Sequence, residues 1–429
     1  KNPDSRIIAG TFDTSEILKE YGFSHKGITT NDDPRFVRYF WEVKKMSQEW
    51  EFHQSTVREN KYYGGRESIL LWEDGEGSLR ELAASQKRDR RRDYQGINAW
   101  GHSGVVVSLM GSLSCTLYKG TKFDTNVSAL VPDDVSHLPA MWCFCISDEF
   151  ESRVRTIDQK VNVTNATLVK VPFDLDHWKQ VAAEKYPDGL PDPYSDDPTQ
   201  WIFHGHPAPS TRPLQVAVAR LLGYRWPAER DDDMELSEDA RRWVVRAREL
   251  NAFADEDGIV CLLVVQGERP AIDRLRDLLA AAYGDAWSAA KEEELLEEWG
   301  YKRGGLERWL GGKFMRQHNK LFGHRPFIWH ITDGHSDGFG ALVNYHTLDR
   351  PTLERLTYTY LGDWIKRQEG ALARDEDGAE GRLLAAQKLQ DELKKIIEGE
   401  PPYDIFVRWK EAHEQPIGWD PDLNDGVLL

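Results

Sequence analysis

The chain has 429 residues and a mass of 49.3 kDa, a length that predicts two or three domains. Hydrophobic residues make up 40%, charged residues 30%, and 16 Trp, 15 Tyr and 16 Phe accompany a mean hydropathy of −0.61. A mainly disordered chain is excluded, and no apolar run approaches the roughly 18 residues of a membrane helix. The net charge of −17 is unevenly held, +1 over residues 1–128 and −18 over residues 129–429, so only the first third escapes the acidic excess that repels nucleic acid.

From about Ile28 to Phe123, short apolar and aromatic runs alternate with glycine turns. The runs Phe36–Val43, Ser68–Trp72, Gly104–Met110 and Ser114–Tyr118 predict strands, and Tyr62-Tyr63-Gly64-Gly65 and Asp74-Gly75-Glu76-Gly77 predict the turns between them. Around Leu138 to Ile157 the period lengthens to three and four, which predicts one or two helices covering a sheet. The prolines from Pro187 to Pro213 predict a surface connection over residues 187–213. It divides a β-rich module, residues 1–186, from a mainly helical part, residues 214–429, and the expected class is α+β. Within the second part, Leu214–Gly223, Ser237–Phe253 with Ser237 as N-cap, Ala271–Trp299 and about Arg382–Ile397 predict helices. Leu353, Leu356, Tyr360 and Leu361 recur at helical spacing, while Ile259–Val265 predicts one buried strand.

The four cysteines, Cys115, Cys143, Cys145 and Cys261, form no CxxC pair, which excludes a zinc ribbon or disulfide scaffold and fits a reducing cytoplasm. The sequence opens on Lys1, without a charged-then-apolar leader, so a piece of a longer cytoplasmic protein is expected. Neither GxGxxG nor GxxxxGK[ST] occurs, and neither does GxSxG or HExxH. His204-Gly205-His206 and the set His330, Asp333, His335 and Asp337 have metal-ligand chemistry, yet both sit among turn residues, and surface or hydrogen-bonding roles are expected for them. Glu392-Leu393-Lys394 matches half of a nuclease site but lacks its paired strand, so a solvated helix face is expected. Glu400-Pro401-Pro402-Tyr403 departs from the Asn/Asp-Pro-Pro-aromatic motif of amino methyltransferases at its first residue and follows a helix instead of a strand.

One succession of blocks is more specific. Gly27-Ile28-Thr29-Thr30-Asn31-Asp32-Asp33, then Phe36, Arg38 and Trp41-Glu42-Val43, then Gly64-Gly65, Trp72-Glu73-Asp74-Gly75, Ala99-Trp100, Gly104-Val105, Ser108, Tyr118, Gly120 and Phe123-Asp124 resemble a known target-recognition region. It is the one that follows the catalytic domain in type IIG restriction-modification enzymes and BREX-type phage-defence adenine methyltransferases. Asn31-Asp32-Asp33 departs from the usual Gly-Asp-Asn. Arg325-Pro326-Phe327-Ile328-Trp329-His330, Gly338-Phe339, Ala341 to His346 and Tyr360-Leu361 resemble the C-terminal region of the same methyltransferases.

The resemblance implies the DNA-specificity part of an adenine-specific methyltransferase, with double-stranded DNA as partner and the catalytic domain on the N-terminal side. S-adenosylmethionine would serve the full enzyme and is not expected to bind this chain alone; no metal is expected. Other defence-system proteins are further candidate partners. A stand-alone specificity or scaffold subunit is the alternative. Arg and Lys are the commonest readers of guanine and neutralise phosphates, so the candidate DNA contacts are Lys61, Gly64, Gly65, Arg66 and Arg80 around the glycine turn, and the basic cluster Lys87, Arg88, Arg90, Arg91 and Arg92. A solvated face is the competing reading of that cluster.

Overall fold

The computed structural model describes residues 16–85, 96–297, 300–301, 304–335, 337–404, 407 and 409–414. Its contacts divide the chain into two compact units: one runs to Ser195 and includes Gln200–Ile202 and Met234–Ala240, the other comprises Asp196–Thr199, Phe203–Asp233 and the chain from Arg241. The fold is α+β.

The first unit contains β1 (Gly22–Lys26), β2 (Val37–Tyr39), β3 (Trp50–Gln54), β4 (Ser68–Leu71), β5 (Ser103–Ser108), β6 (Cys115–Lys119), β7 (Lys122–Phe123) and β8 (Val127–Pro132). One sheet has the order β1-β8-β5-β6 and is antiparallel throughout. The other has the order β2-β4-β3-β7, with a parallel β3–β7 pair. All six residues of β8 are buried, so this inner strand lacks the alternation by which a half-exposed strand is recognised. Gly104 allows β5 to pass close to it, because a Cβ there would lie 2.2 Å from the Leu130 carbonyl oxygen.

The expected strand Phe36–Val43 contracts to the three residues of β2. Pro34 starts a helical turn over Asp33–Phe36, and the Glu42 carboxylate accepts from the Tyr39 N–H at 2.6 Å, folding Phe40–Glu42 into a further turn. The helix Leu138–Cys145 buries Ala140 through Cys145 and packs on β5 and β8. The next helix, Asp148–Ile157, is capped by the Ser147 hydroxyl, which accepts from Phe150 N–H. Leu175–Lys185 starts at the Asp174 cap and lays Trp178 against Phe144, centroids 5.4 Å apart.

The second unit carries a smaller antiparallel sheet, order β10-β11-β9, built from β9 (Ile259–Cys261), β10 (Ile328–Thr332) and β11 (Gly340–Asn344). The blocks Arg325 to His330, Gly338-Phe339 and Ala341 to His346 thus fall on and beside the β10–β11 hairpin, while Tyr360-Leu361 is helical. Against this sheet pack Leu356 and Leu361, Trp364 on the helix Leu361–Ala373, and Ala386 and Leu393 on the helix Ala379–Glu398. The spacing read around Tyr360 is helical but wider than expected, since Arg355–Tyr360 forms a π-helical segment. Ser237 caps Glu238–Glu249 as expected, its hydroxyl accepting from Ala240 N–H at 3.1 Å.

Residues 187–213 include exposed stretches near either end, and only the middle departs from a surface connection. Gln200 through Pro207 are buried, because this segment carries Trp201, Ile202 and Phe203, large apolar side chains whose burial outweighs the solvation of a proline-rich loop.

Candidate nucleic-acid interface

The Gly64-Gly65 turn is closed by a side chain from β3. Gln54 Nε2 donates to the carbonyls of Gly64 (2.6 Å), Gly65 (3.0 Å) and Ser55 (3.1 Å). Gly65 has φ +68, and a Cβ there would stand 2.3 Å from the Ser55 carbonyl oxygen, so this close return of the chain requires glycine. Across the turn, Thr116 Oγ1 on β6 accepts from Gly64 N–H at 3.0 Å, and backbone bonds tie Lys61 to Cys115 and Tyr62 to Leu117. Gly64 and Gly65 are both buried. They shape the loop; they do not meet solvent.

Arg66 corrects an expectation. Instead of reaching outward it is 4% exposed. Its Nη2 donates to the Leu117 carbonyl at 3.0 Å and its Nε to Gln54 Oε1 at 3.3 Å, while the guanidinium lies 4.8 Å from the Tyr63 ring and 5.7 Å from the Trp201 ring. Its backbone N–H donates to Gln200 Oε1, whose amide nitrogen in turn donates to Glu67. Burial pulls the Arg66 pKa down to about 10. This arginine holds the turn in place, and a contact with DNA is foreclosed by its burial.

Lys61 is exposed, its Nζ 3.1 Å from a Glu59 carboxylate oxygen. Arg80, on the helix Ser78–Ser85, is turned toward Glu76 and keeps 39% of its side chain exposed. Lys87, Arg88, Arg90, Arg91 and Arg92 lie outside the described residues. The exposed part of the loop adds Arg58, absent from the sequence candidates, so the surface beside the turn presents Arg58, Lys61 and Tyr62. Gln54 and Gln200, which set the turn's geometry, were missed for a physical reason: Gln200 is 134 residues from its partner, and a glutamine at the end of a mixed polar and aromatic strand carries no local signal.

Most of the remaining polar motifs are held by the fold, whereas His330 Nε2 is buried without a hydrogen-bond partner. His204 Nδ1 accepts from His206 N–H and His206 Nδ1 from Ala208 N–H, and burial lowers both histidines to about 3. Asp333 accepts from His335 N–H and Phe339 N–H, closing the turn between β10 and β11, while Asp337 bonds His335 and Arg382. Glu392 is held by Lys395 at 3.0 Å and by the Tyr403 hydroxyl at 2.8 Å. Tyr403, the aromatic of the Pro-Pro-aromatic segment, is thus tied to the helix Ala379–Glu398. Among the described residues no three His, Cys, Asp or Glu side chains converge as a metal-ligand group.

No protein-family model matches the chain. It is similar to the adenine-specific methyltransferase BrxX of Escherichia coli O9:H4 (strain HS), with 24% identity over 198 residues covering 41% of this chain and 16% of that protein. It is also similar to the adenine-specific methyltransferase PglX of Lacticaseibacillus casei (strain Zhang), with 28% identity over 118 residues covering 27% of this chain and 10% of that protein. The chain spans less than a fifth of the length of either relative. These partial matches support a distant relation between this chain and adenine-specific methyltransferases.

Proposed function

We propose that this chain provides DNA target recognition for a phage-defence adenine methyltransferase of the BREX type. The observation that carries the reading is the partial similarity to two adenine-specific methyltransferases. The ordered blocks of the first unit agree with it. Methylating one adenine requires phosphate contacts for register, base-edge contacts for sequence, and a surface that tolerates an extruded base. A loop whose backbone is tied to β6, with Arg58 and Lys61 exposed, suits the first two demands.

S-adenosylmethionine and the transfer step belong to a catalytic domain N-terminal to this chain, and no residue here is assigned to the cofactor. The working partners are double-stranded DNA, that catalytic domain and other defence proteins, in the cytoplasm. The basic cluster Lys87, Arg88, Arg90, Arg91 and Arg92 serves phosphates. The test is methyl transfer from labelled S-adenosylmethionine to duplex DNA by the native polypeptide, alongside DNA binding in a salt series. Site-dependent transfer to adenine, with changing the five cluster residues to Ala weakening binding to all sequences and flattening the salt slope, is the expected result. DNA binding without transfer would leave a specificity subunit; a cluster variant with unchanged slope would remove those five residues from the interface.

A further inference from the structure

Two Lys-Tyr dipeptides from distant parts of the sequence meet on the surface of the first unit. The hydroxyls of Tyr62 and Tyr186 are 3.4 Å apart, and their rings stand edge to face at 6.3 Å and 81°. Both rest on one buried indole: Trp142, 2% exposed, donates from Nε1 to the Tyr186 hydroxyl at 3.0 Å, and its ring lies 5.7 Å from that of Tyr62. Tyr62 nevertheless keeps 43% of its surface open. The preceding residues, Lys61 and Lys185, are both exposed. Lys185 ends the helix Leu175–Lys185, with Nζ 5.7 Å from the Tyr186 ring.

The patch is rigid underneath and polar above. Lys61 N–H donates to the Cys115 carbonyl, and the Tyr62 carbonyl accepts from Leu117 N–H, which fixes the loop to β6. Glu59 compensates Lys61 at 3.1 Å, but an ion pair at the surface holds weakly and exchanges readily for a phosphate. An exposed aromatic ring accompanied by exposed cations is the chemistry by which proteins grip a nucleic-acid strand, the cations on phosphates and the ring on a sugar or base.

We propose that Lys61, Tyr62, Lys185 and Tyr186 form a DNA-contacting patch, in which each lysine meets a backbone phosphate and the Tyr62 ring packs on a sugar or unstacked base. The proposal rests on the DNA-recognition reading and adds to it Tyr62 and the end of the helix Leu175–Lys185. The test is fluorescence anisotropy of the full chain on a labelled duplex containing one unpaired adenine, measured across a salt series. Lys61→Ala with Lys185→Ala lowers the slope of log affinity against log salt by about two and weakens all sequences alike. Tyr62→Ala loses about tenfold in affinity, while Tyr62→Phe, which keeps the ring, retains it. If the wild-type chain binds and the double lysine variant keeps both affinity and slope, the patch is wrong and the broader reading stands. Equal losses for Tyr62→Phe and Tyr62→Ala would overturn the ring contact. If the wild-type chain binds no DNA, the broader reading falls, and the patch with it.

Discussion

Among the described residues each unit buries one arginine, and the two are held in opposite ways. Arg66, in the first unit, is held by neutral acceptors and aromatic faces: Gln54 Oε1, the Leu117 carbonyl, and the rings of Tyr63 and Trp201. Arg220, in the second, is fully buried with an ionic partner, Glu229 at 2.7 Å, and it also donates to the Gly205 and Ala247 carbonyls and to Asn251 Oδ1. The difference shows that a buried guanidinium can be held without a counter-charge, by neutral acceptors and aromatic faces. It also fixes what each loses when broken, since only Arg220 would leave a charged partner behind.

Arg220→Ala strands the Glu229 carboxylate, 1% exposed, and is expected to cost about 3–5 kcal/mol. Arg66→Ala strands only neutral groups and should cost about 1–3 kcal/mol. Urea midpoints for the two variants measure both, and equal losses would refute the asymmetry.

Acid sharpens the same contrast, because burial that leaves arginine charged strips histidine of its proton. His204, His206 and His318, all in the second unit, are lowered to about 3. For His318 the cause is burial, and its bonding suits a neutral ring: Nδ1 faces Gln215 Oε1 at 3.1 Å and donates, leaving Nε2 to accept from Ile328 N–H at 3.3 Å. A second proton would abolish that acceptor. The unfolded chain binds protons from an ordinary histidine pKa of 6.5, the folded chain only near 3, so stability is full above about 6.5 and lost as pH falls through that window. By pH 5 the loss is about 1–2 kcal/mol for each histidine. Melting temperature against pH checks this, and His318→Gln should shallow the decline.

The smaller effect lies at the glycine turn. Gly65→Ala places a Cβ against the Ser55 carbonyl oxygen at φ +68, which is expected to cost about 1–3 kcal/mol. Gly64, at a negative φ with its nearest neighbour the Val57 side chain at 3.0 Å, should tolerate alanine better. A melting-temperature comparison of the two variants decides whether the turn depends on its second glycine.

Much of the fold was legible where a residue's role is local. The strands Ser68–Leu71, Ser103–Ser108 and Cys115–Lys119 announced themselves by β-branched and aromatic runs between glycine turns, and Ser237 by its place before a helical period. β8 went unread because a strand buried on both faces, with Ser128 and Pro132 within it, has neither alternation nor a long apolar run. In the second unit β11, five residues all buried, escaped for the same reason. At the candidate site, Lys61 was readable as an exposed cation, whereas Arg66 was not readable as a buried one.

By itself the sequence determined the α+β class, the turn at Gly64-Gly65 and the likeness to adenine methyltransferases, because composition, periodicity and glycine placement act within a few residues of one another. Only the tertiary structure decided which cations face solvent and which aromatics share a surface. Arg66 is turned inward by Gln54, Leu117 and Trp201, and Tyr62 meets Tyr186 across 124 residues. Side-chain direction depends on such distant partners, whose free energy of contact arises only once the strands and helices have packed.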